Sequence, residues 1–285
     1  MTTILITGGT GQLASCIKDV EKQYDDLNVI YTDYLELDIC DLNQIQIFFK
    51  SNPQINYCIN CAAYTAVDKA EAEAEKTFEI NATGAKNLAQ VCNEHGAILI
   101  HVSTDFVFDG EKNKPYTETD LANPISVYGA SKLQGEVEIQ QALKEHFIIR
   151  TSWLYSEHGN NFMKTMLRLA ETRDEISVVN DQIGTPTYAG DLANVILKII
   201  SSNDKNFGLF HYSNEGVASW YDFAKAIFEE SSITIEVNPI NTEAYPTPAK
   251  RPVFSVLDKT KIKKFLQTKI PYWRDSLIKN LEKLK

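Results

Sequence analysis

Two short stretches of the chain hold side chains that can exchange a proton with a carbonyl oxygen. Tyr128 and Lys132, in Tyr128-Gly129-Ala130-Ser131-Lys132, share one face of a helix, about one turn apart. An unperturbed phenol titrates near ~10. A neighbouring ammonium favours phenolate and lowers that value, easing proton exchange with a carbonyl or alkoxide near neutral pH. The lysine could also hold a nicotinamide ribose. In Ser103-Thr104-Asp105, the Thr104 hydroxyl could donate to the same carbonyl oxygen and stabilise developing charge. Any helix can carry Y-x-x-x-K by chance, and Ser-Thr-Asp also caps turns, so position has to decide.

Position is set by the opening of the chain. Thr7-Gly8-Gly9-Thr10-Gly11-Gln12-Leu13-Ala14 joins an apolar strand, Ile4 to Thr7, to a helix carrying Leu13, Ile17, Val20 and Tyr24 at helical spacing. Glycines let the chain turn tightly and approach a pyrophosphate, with the helix N-terminus facing the anion. The spacing Gly8-x-x-Gly11-x-x-Ala14 departs from G-x-G-x-x-G, and Ala14 takes the third, packing position. Asp33, after the strand Val29 to Thr32, stands where an acid meets an adenosine ribose, which would favour NAD over NADP. A turn or cap role for Asp33 weighs equally. Asp38, with Ile39, is a second candidate for the adenosine end. Cys61-Ala62-Ala63-Tyr64-Thr65 closes the strand Tyr57 to Ala62, and its small alanines leave room for a cofactor. Asn81 either braces its helix or bonds locally.

The surrounding elements alternate. Asp41 caps a helix with Leu42, Ile45 and Phe49. A long helical stretch runs from about Asp68 to Glu94 and stops at Gly96. A strand over Ala97 to Val102 delivers Ser103-Thr104-Asp105, and Phe147 to Arg150 follows the helix that starts at Tyr128. Apolar strands alternating with helices imply a parallel sheet covered on both faces. Beyond Trp153 the pattern loosens: helices are expected over 160–173, 191–200 and 273–284, with Ser219 and Asp222 forming a capping box. Three prolines make 244–252 an extended loop. The expected fold is α/β, a doubly wound Rossmann-type sheet over residues 1–150 with a return segment near 176–202. A smaller α/β substrate lobe occupies 151–285.

Bulk properties narrow the function. The 285 residues are 44% hydrophobic, enough for a sizeable core, and the formal net charge is −10. An acidic chain without a basic block argues against nucleic acid as main partner. No apolar run reaches the length of a membrane span, and Gly8 ends the first apolar stretch too early for a signal segment. The five cysteines, all in the first third, are not a disulfide framework. A cytoplasmic location is expected. Cys58-x-x-Cys61 lies in a strand, where residues three apart face opposite ways, so buried small hydrophobes are the better reading. Trp220, Tyr221 and Phe223 read as lobe core.

Together these motifs resemble the extended short-chain dehydrogenases and, within them, the dTDP-4-dehydrorhamnose reductases. The likeness covers nearly the whole chain. It rests on the glycine loop, Ala62-Ala63-Tyr64-Thr65-Ala66-Val67-Asp68, Ser103-Thr104-Asp105-Phe106-Val107-Phe108 and Val127-Tyr128-Gly129-Ala130-Ser131-Lys132. Later matches are narrower: Arg150-Thr151-Ser152-Trp153, Asn180-Asp181-Gln182-Ile183-Gly184-Thr185-Pro186-Thr187 and Tyr245-Pro246-Thr247-Pro248-Ala249-Lys250-Arg251-Pro252. Ala14 and Phe106 replace a usual glycine and tyrosine. The resemblance implies reduction at C4 of a 4-keto-6-deoxy sugar on dTDP, for rhamnose-containing surface polysaccharide, with NADPH and NADH both open. Gly8, Gly11, Gln12, Leu13, Asp33, Asp38, Ile39, Ala62, Ala63, Tyr64, Thr65, Tyr128 and Lys132 would hold the cofactor. Tyr128, Lys132 and Thr104 would act on the substrate, with Asp105 and Trp153 lining its pocket. Lys250 and Arg251 would meet the diphosphate or form a solvated pair. The resemblance leaves open a homodimer and a magnesium ion at its interface. Two rivals stand: a related sugar-nucleotide reductase, dehydratase or epimerase, and a non-catalytic regulator like the β subunit of methionine adenosyltransferase. No obvious acid/base pair accompanies Thr104, which favours simple reduction over the first rival. The intact Tyr128, Lys132 and Thr104 set argues against the second.

Overall fold

A computed structural model describes residues 1–202 and 204–284. The chain runs β1 (Thr2–Thr7), α1 (Gln12–Val20), β2 (Leu27–Thr32), α2 (Leu42–Ser51), β3 (Ile55–Asn60), α3 (Val67–Ala70), α4 (Ala74–Phe78), α5 (Gly84–His95), β4 (Ile98–Thr104), α6 (Val127–Ala142) and β5 (His146–Thr151). It continues with β6 (Leu154–Tyr155), α7 (Phe162–Ala170), β7 (Glu175–Val179), β8 (Ile183–Gly184), β9 (Thr187–Tyr188), α8 (Ala189–Ser202) and β10 (Gly208–His211). Last come β11 (Ala218–Ser219), α9 (Trp220–Glu230), β12 (Glu236–Ile240), α10 (Thr260–Leu266) and α11 (Trp273–Glu282).

Six strands form one sheet in the order β10-β5-β4-β3-β1-β2, every pair parallel. Its central strands are apolar on both sides because helices cover both faces. On one face, Leu13 and Ile17 of α1 and Leu192 and Ile196 of α8 meet Ile4 and Ile6. On the other, Ile45, Leu88 and Ile139 of α2, α5 and α6 meet Leu5 and Leu99. Cys58 and Cys92 are fully buried in that second cluster, as small hydrophobes. From β1 the order runs outward in both directions, to β2 on one side and β3 on the other. The carboxyl ends of β1 and β3 therefore flank a crevice, the usual ligand position of such sheets.

The long helix expected over 68–94 is divided. α3 and α4 are short, and residues Glu79–Thr83 form a π-helical turn before α5. Gly96, at φ +68°, then ends α5 in the left-handed conformation. Asp41 caps α2, its carboxylate accepting from the Gln44 amide at 3.0 Å.

Within the expected return segment, α8 packs on the sheet but β7 does not. β7 pairs in parallel with β12 and alternates buried and exposed residues, the pattern of a strand covered on one face only. The sheet instead gains β10, at Gly208–His211, which the sequence reading did not assign. A third apolar cluster gathers Tyr155, Met163, Met166, Phe223, Trp273 and Leu277 from β6, α7, α9 and α11. Among these, Phe223 is core as expected. The capping box of Ser219 and Asp222 is present at the start of α9.

Candidate active site

The glycine loop is a cradle made of backbone. Gly8 has φ +66°, and a Cβ there would stand 2.7 Å from the Ala62 nitrogen. Gly8 thus supplies both the turn and the close approach between the ends of β1 and β3. Gly11 N–H donates to the Gly8 carbonyl at 3.0 Å, and Gly11 is the N-cap of α1 without a side-chain cap. The first amides of α1 are left to face the cleft. Asp33 Oδ2 accepts from the Thr10 backbone N–H (3.0 Å) and from the Thr10 hydroxyl. Burial pushes its carboxyl up, but these bonds and the Tyr34 amide outweigh that and hold it below its ordinary value. A cavity of about 660 Å³ spans Gly8, Gly11, Asp33, Asp38, Ile39, Ala62, Ala63 and Tyr64. Ile39 is 5% exposed and wedged where a Cβ on Gly84 would be. Tyr64 is fixed by Asn81, which accepts from its amide at 2.8 Å and donates to its carbonyl at 3.1 Å. Asn81 also donates to the Ser131 hydroxyl at 3.0 Å. Of its two expected roles, Asn81 thus makes long-range ties, from the π-helical turn to α6.

A second cavity, about 640 Å³, shares Gly11 with the first and contains Gln12, Leu13, Thr65, Thr104, Asp105, Tyr128, Lys132 and Trp153. Ser126 caps α6 by accepting from the Gly129 amide at 3.1 Å, which puts Tyr128 in the first turn. A Cβ on Gly129 would lie 2.2 Å from the Phe106 carbonyl oxygen. Only glycine lets α6 close onto the loop after β4, and that approach sets Tyr128 beside Thr104. Gly135 repeats the device against the Asn81 carbonyl, also at 2.2 Å.

The electrostatics differ from the expectation that Lys132 lowers the tyrosine. Burial pushes the Tyr128 phenol up to about 12; a hydrogen bond with Thr104 works against this and the Asp105 charge adds to it. Burial draws Lys132 down to about 8, opposed by Glu136 and Cys61. Desolvation penalises either charged form, and it dominates both groups here. The Lys132 amine is engaged by the Val102 carbonyl at 2.8 Å and His101 Nε2 at 3.0 Å. Asp105 is a further group beside Thr104. Burial raises its carboxyl to about 6 against bonds from Ser255 and Thr104, and its Oδ2 has no hydrogen-bond partner. It is one carboxyl and not an acid/base pair.

Gln12 reaches the Leu154 carbonyl (3.3 Å) and receives the Ser156 hydroxyl (3.3 Å), tying the glycine loop to the segment after β5. Trp153 has φ +47° and stacks on Trp220, centroids 3.6 Å apart at 8°. Trp220 packs against the lobe core as expected, and it also forms a wall of the cleft. Its place at the first position of α9, after the Ser219 cap, was a legible signal; its target was not. A third cavity, about 410 Å³, opens between Trp220, Phe162, Gln182, Tyr245 and Arg251. Arg251 lines this cavity and the second one and pairs with Asp68 at 2.8 Å. Lys250 is exposed and lines none of the three cavities.

Among the described residues, candidate metal ligands gather at Cys16, Glu157 and His158, their atoms within 4.8 Å. They do not suit magnesium, which takes hard oxygen ligands. Burial pushes the Cys16 thiol up to about 12. Glu157 already holds Lys283 (2.7 Å) and Asn280 (2.6 Å), and His158 holds Asp19 (2.6 Å).

Comparison with known proteins gives the family of the chain. The family model described as RmlD substrate binding domain matches residues 1–285. The chain is 43% identical to a dTDP-4-dehydrorhamnose reductase of Aggregatibacter actinomycetemcomitans, covering 97% of each. It superposes with TM-score 0.95 on the dTDP-4-dehydrorhamnose reductase of Clostridium acetobutylicum, at 44% identity and 99% coverage of each. With the Bacillus anthracis dTDP-4-dehydrorhamnose reductase, solved in complex with NADP, the TM-score is 0.94 at 39% identity, over 99% of this chain and 100% of that one. The chain belongs to the RmlD substrate binding domain family, alongside the dTDP-4-dehydrorhamnose reductases.

Proposed function

We propose that this protein reduces the C4 keto group of dTDP-4-dehydro-L-rhamnose to give dTDP-L-rhamnose, using NADPH or NADH. The observation that carries the reading is a row of three adjoining cavities with shared lining residues: a glycine cradle, then Thr104, Tyr128 and Lys132, then an aromatic and arginine-lined end. The names of its relatives supply the sugar, and the NADP complex of the Bacillus anthracis protein supports the cofactor class.

Gly8, Gly11 and the α1 amides would hold a pyrophosphate, Asp33 and Asp38 the adenosine end, and Ala62, Ala63, Tyr64 and Thr65 the floor. Ile39 backs the adenosine end from beneath, while Gln12 and Leu13 lie where the cradle meets the second cavity. When bound, a reduced nicotinamide supplies the hydride to C4. Tyr128 donates its proton to the oxygen at that carbon, and a raised pKa keeps the proton in place until charge develops there. Thr104 donates a second hydrogen bond to the same oxygen. Lys132 steadies the phenolate that results. Asp105, with a buried unpartnered oxygen, would accept from a sugar hydroxyl. Trp153, backed by Trp220, would pack on the sugar, and Arg251 would meet the diphosphate. Residues 1–150 with α8 and β10 would form the cofactor unit, and the rest the substrate lobe.

The test is loss of NADPH or NADH absorbance with enzymatically generated dTDP-4-dehydrorhamnose. Steady oxidation with dTDP-rhamnose as product is expected. A folded, cofactor-binding protein that oxidises neither cofactor would overturn the reading.

A further inference from the structure

A row of buried polar side chains crosses the sheet beneath the cleft. Thr7, Asn60 and His101 occupy paired register positions on β1, β3 and β4, each about 1% exposed. Asn60 Oδ1 accepts from the Thr7 hydroxyl at 2.8 Å and from the Ala62 backbone N–H at 3.1 Å. A backbone N–H can only donate, so Asn60 must present its oxygen to Ala62 and its NH2 to His101. That NH2 lies 3.0 Å from His101 Nδ1. The hydrogen-bond network therefore assigns Nδ1 as the acceptor and places the proton of the neutral ring on Nε2. Nε2 stands 3.0 Å from Lys132 Nζ. An ammonium there would set donor against donor. An uncharged amine accepts from Nε2–H and still donates to the Val102 carbonyl at 2.8 Å.

We propose that His101 is a positioning residue for Lys132, its Nε2–H biasing that lysine toward the uncharged amine. The inference rests on the reductase reading only for its effect on turnover. Burial acts in the same direction on Lys132, while Glu136 and Cys61 oppose it. Burial, Lys132 and His146 keep His101 itself neutral. Glu136 is committed to Arg150 at 2.6 Å and to the Ser103 hydroxyl, so the titratable side chain directly on Nζ is His101, beside the Val102 carbonyl. Tyr128, one turn earlier on α6, needs the lysine charged when it becomes phenolate. Turnover should therefore fall as pH rises through the Lys132 pKa.

Two measurements on the intact, ligand-free chain test this. Imidazole 15N NMR should find His101 protonated at Nε2 and bare at Nδ1; the reverse tautomer overturns the proposal. Lysine 13Cε titration, with Lys132 assigned through Lys132→Met, gives the lysine pKa in wild type and in His101→Gln. The glutamine can turn a carbonyl toward Nζ, so the pKa should rise by about one unit, roughly tenfold more ammonium at a given alkaline pH. An unchanged or lower pKa in a folded variant overturns the proposal. If His101→Gln does not fold, the tautomer alone decides. The alkaline limb of kcat/KM should move up with the lysine, which a merely structural histidine would not cause. Neither NMR measurement uses a sugar nucleotide, so failure of the reductase reading would show separately, as absent turnover with the His101 results intact.

Discussion

At the glycine-loop end of the cleft the wall is largely main chain: Gly8 against Ala62, Gly11, and the open amides of α1. At the aromatic end it is side chains brought from separate segments, Trp153, Phe162, Gln182, Trp220, Tyr245 and Arg251. A main-chain wall follows from one local turn and can recognise only what every ligand of its class shares, a phosphate or a ribose. A side-chain wall depends on the packing of distant elements and can select one sugar or base. Between them, Tyr128 and Thr104 come together through a third device, a glycine that lets a helix touch a loop.

The largest expected effect falls on the junction of the two ends. Tyr128→Phe should cut turnover by about 10²–10⁴-fold, the usual contribution of a positioned acid, with cofactor affinity nearly unchanged. Near wild-type turnover would remove Tyr128 from the chemistry. Gly8→Val should strike the main-chain end alone. A side chain in the left-handed region costs about 1–2 kcal/mol, and here its Cβ also meets Ala62. Melting temperature and cofactor affinity should both fall while dTDP-sugar binding persists; a variant that binds cofactor normally would show that the cradle is not where the dinucleotide sits.

Trp220→Ala sharpens the contrast from the other side. Losing the stack on Trp153 should raise KM for the sugar nucleotide roughly two- to tenfold, in line with about 0.5–1.5 kcal/mol for an aromatic pair. Cofactor titration should not move, and a shift there instead would mean the two ends are energetically coupled. The smallest effect is expected at Asp33. Its carboxylate braces Thr10 as well as facing the cavity, so Asp33→Ala should weaken both cofactors a little and NADH a few-fold more. Equal losses would assign Asp33 to the loop and not to the ribose.

Legibility in the sequence followed the same division. The cradle, the strand-helix alternation and the Tyr128–Lys132 spacing are local patterns, and the six-stranded sheet was readable in five of its strands. β10, at Gly208–His211, escaped notice because it lies beyond the regular strand-helix alternation of residues 1–150 and joins the sheet only through its tertiary pairing with β5. The helix over 68–94 was read as continuous because a π-helical turn keeps helical composition while adding a residue. Trp220 does pack on the lobe core, but its second face, on the cleft, left no mark in the sequence, because an aromatic beside Phe223 looks the same with or without an open side.

Residue order alone determined which groups exist and which lie one helical turn or one strand step apart, because those separations are set by backbone geometry. It determined the α/β architecture, the cradle and the candidate acid. Tertiary structure decided the charge states and the partners. The inversion of the expected pKa order, with Tyr128 raised and Lys132 lowered, comes from burial by elements far apart in sequence. So do the stack of Trp153 on Trp220 and the contact of His101 with Lys132, since desolvation and hydrogen bonding depend on distance in space.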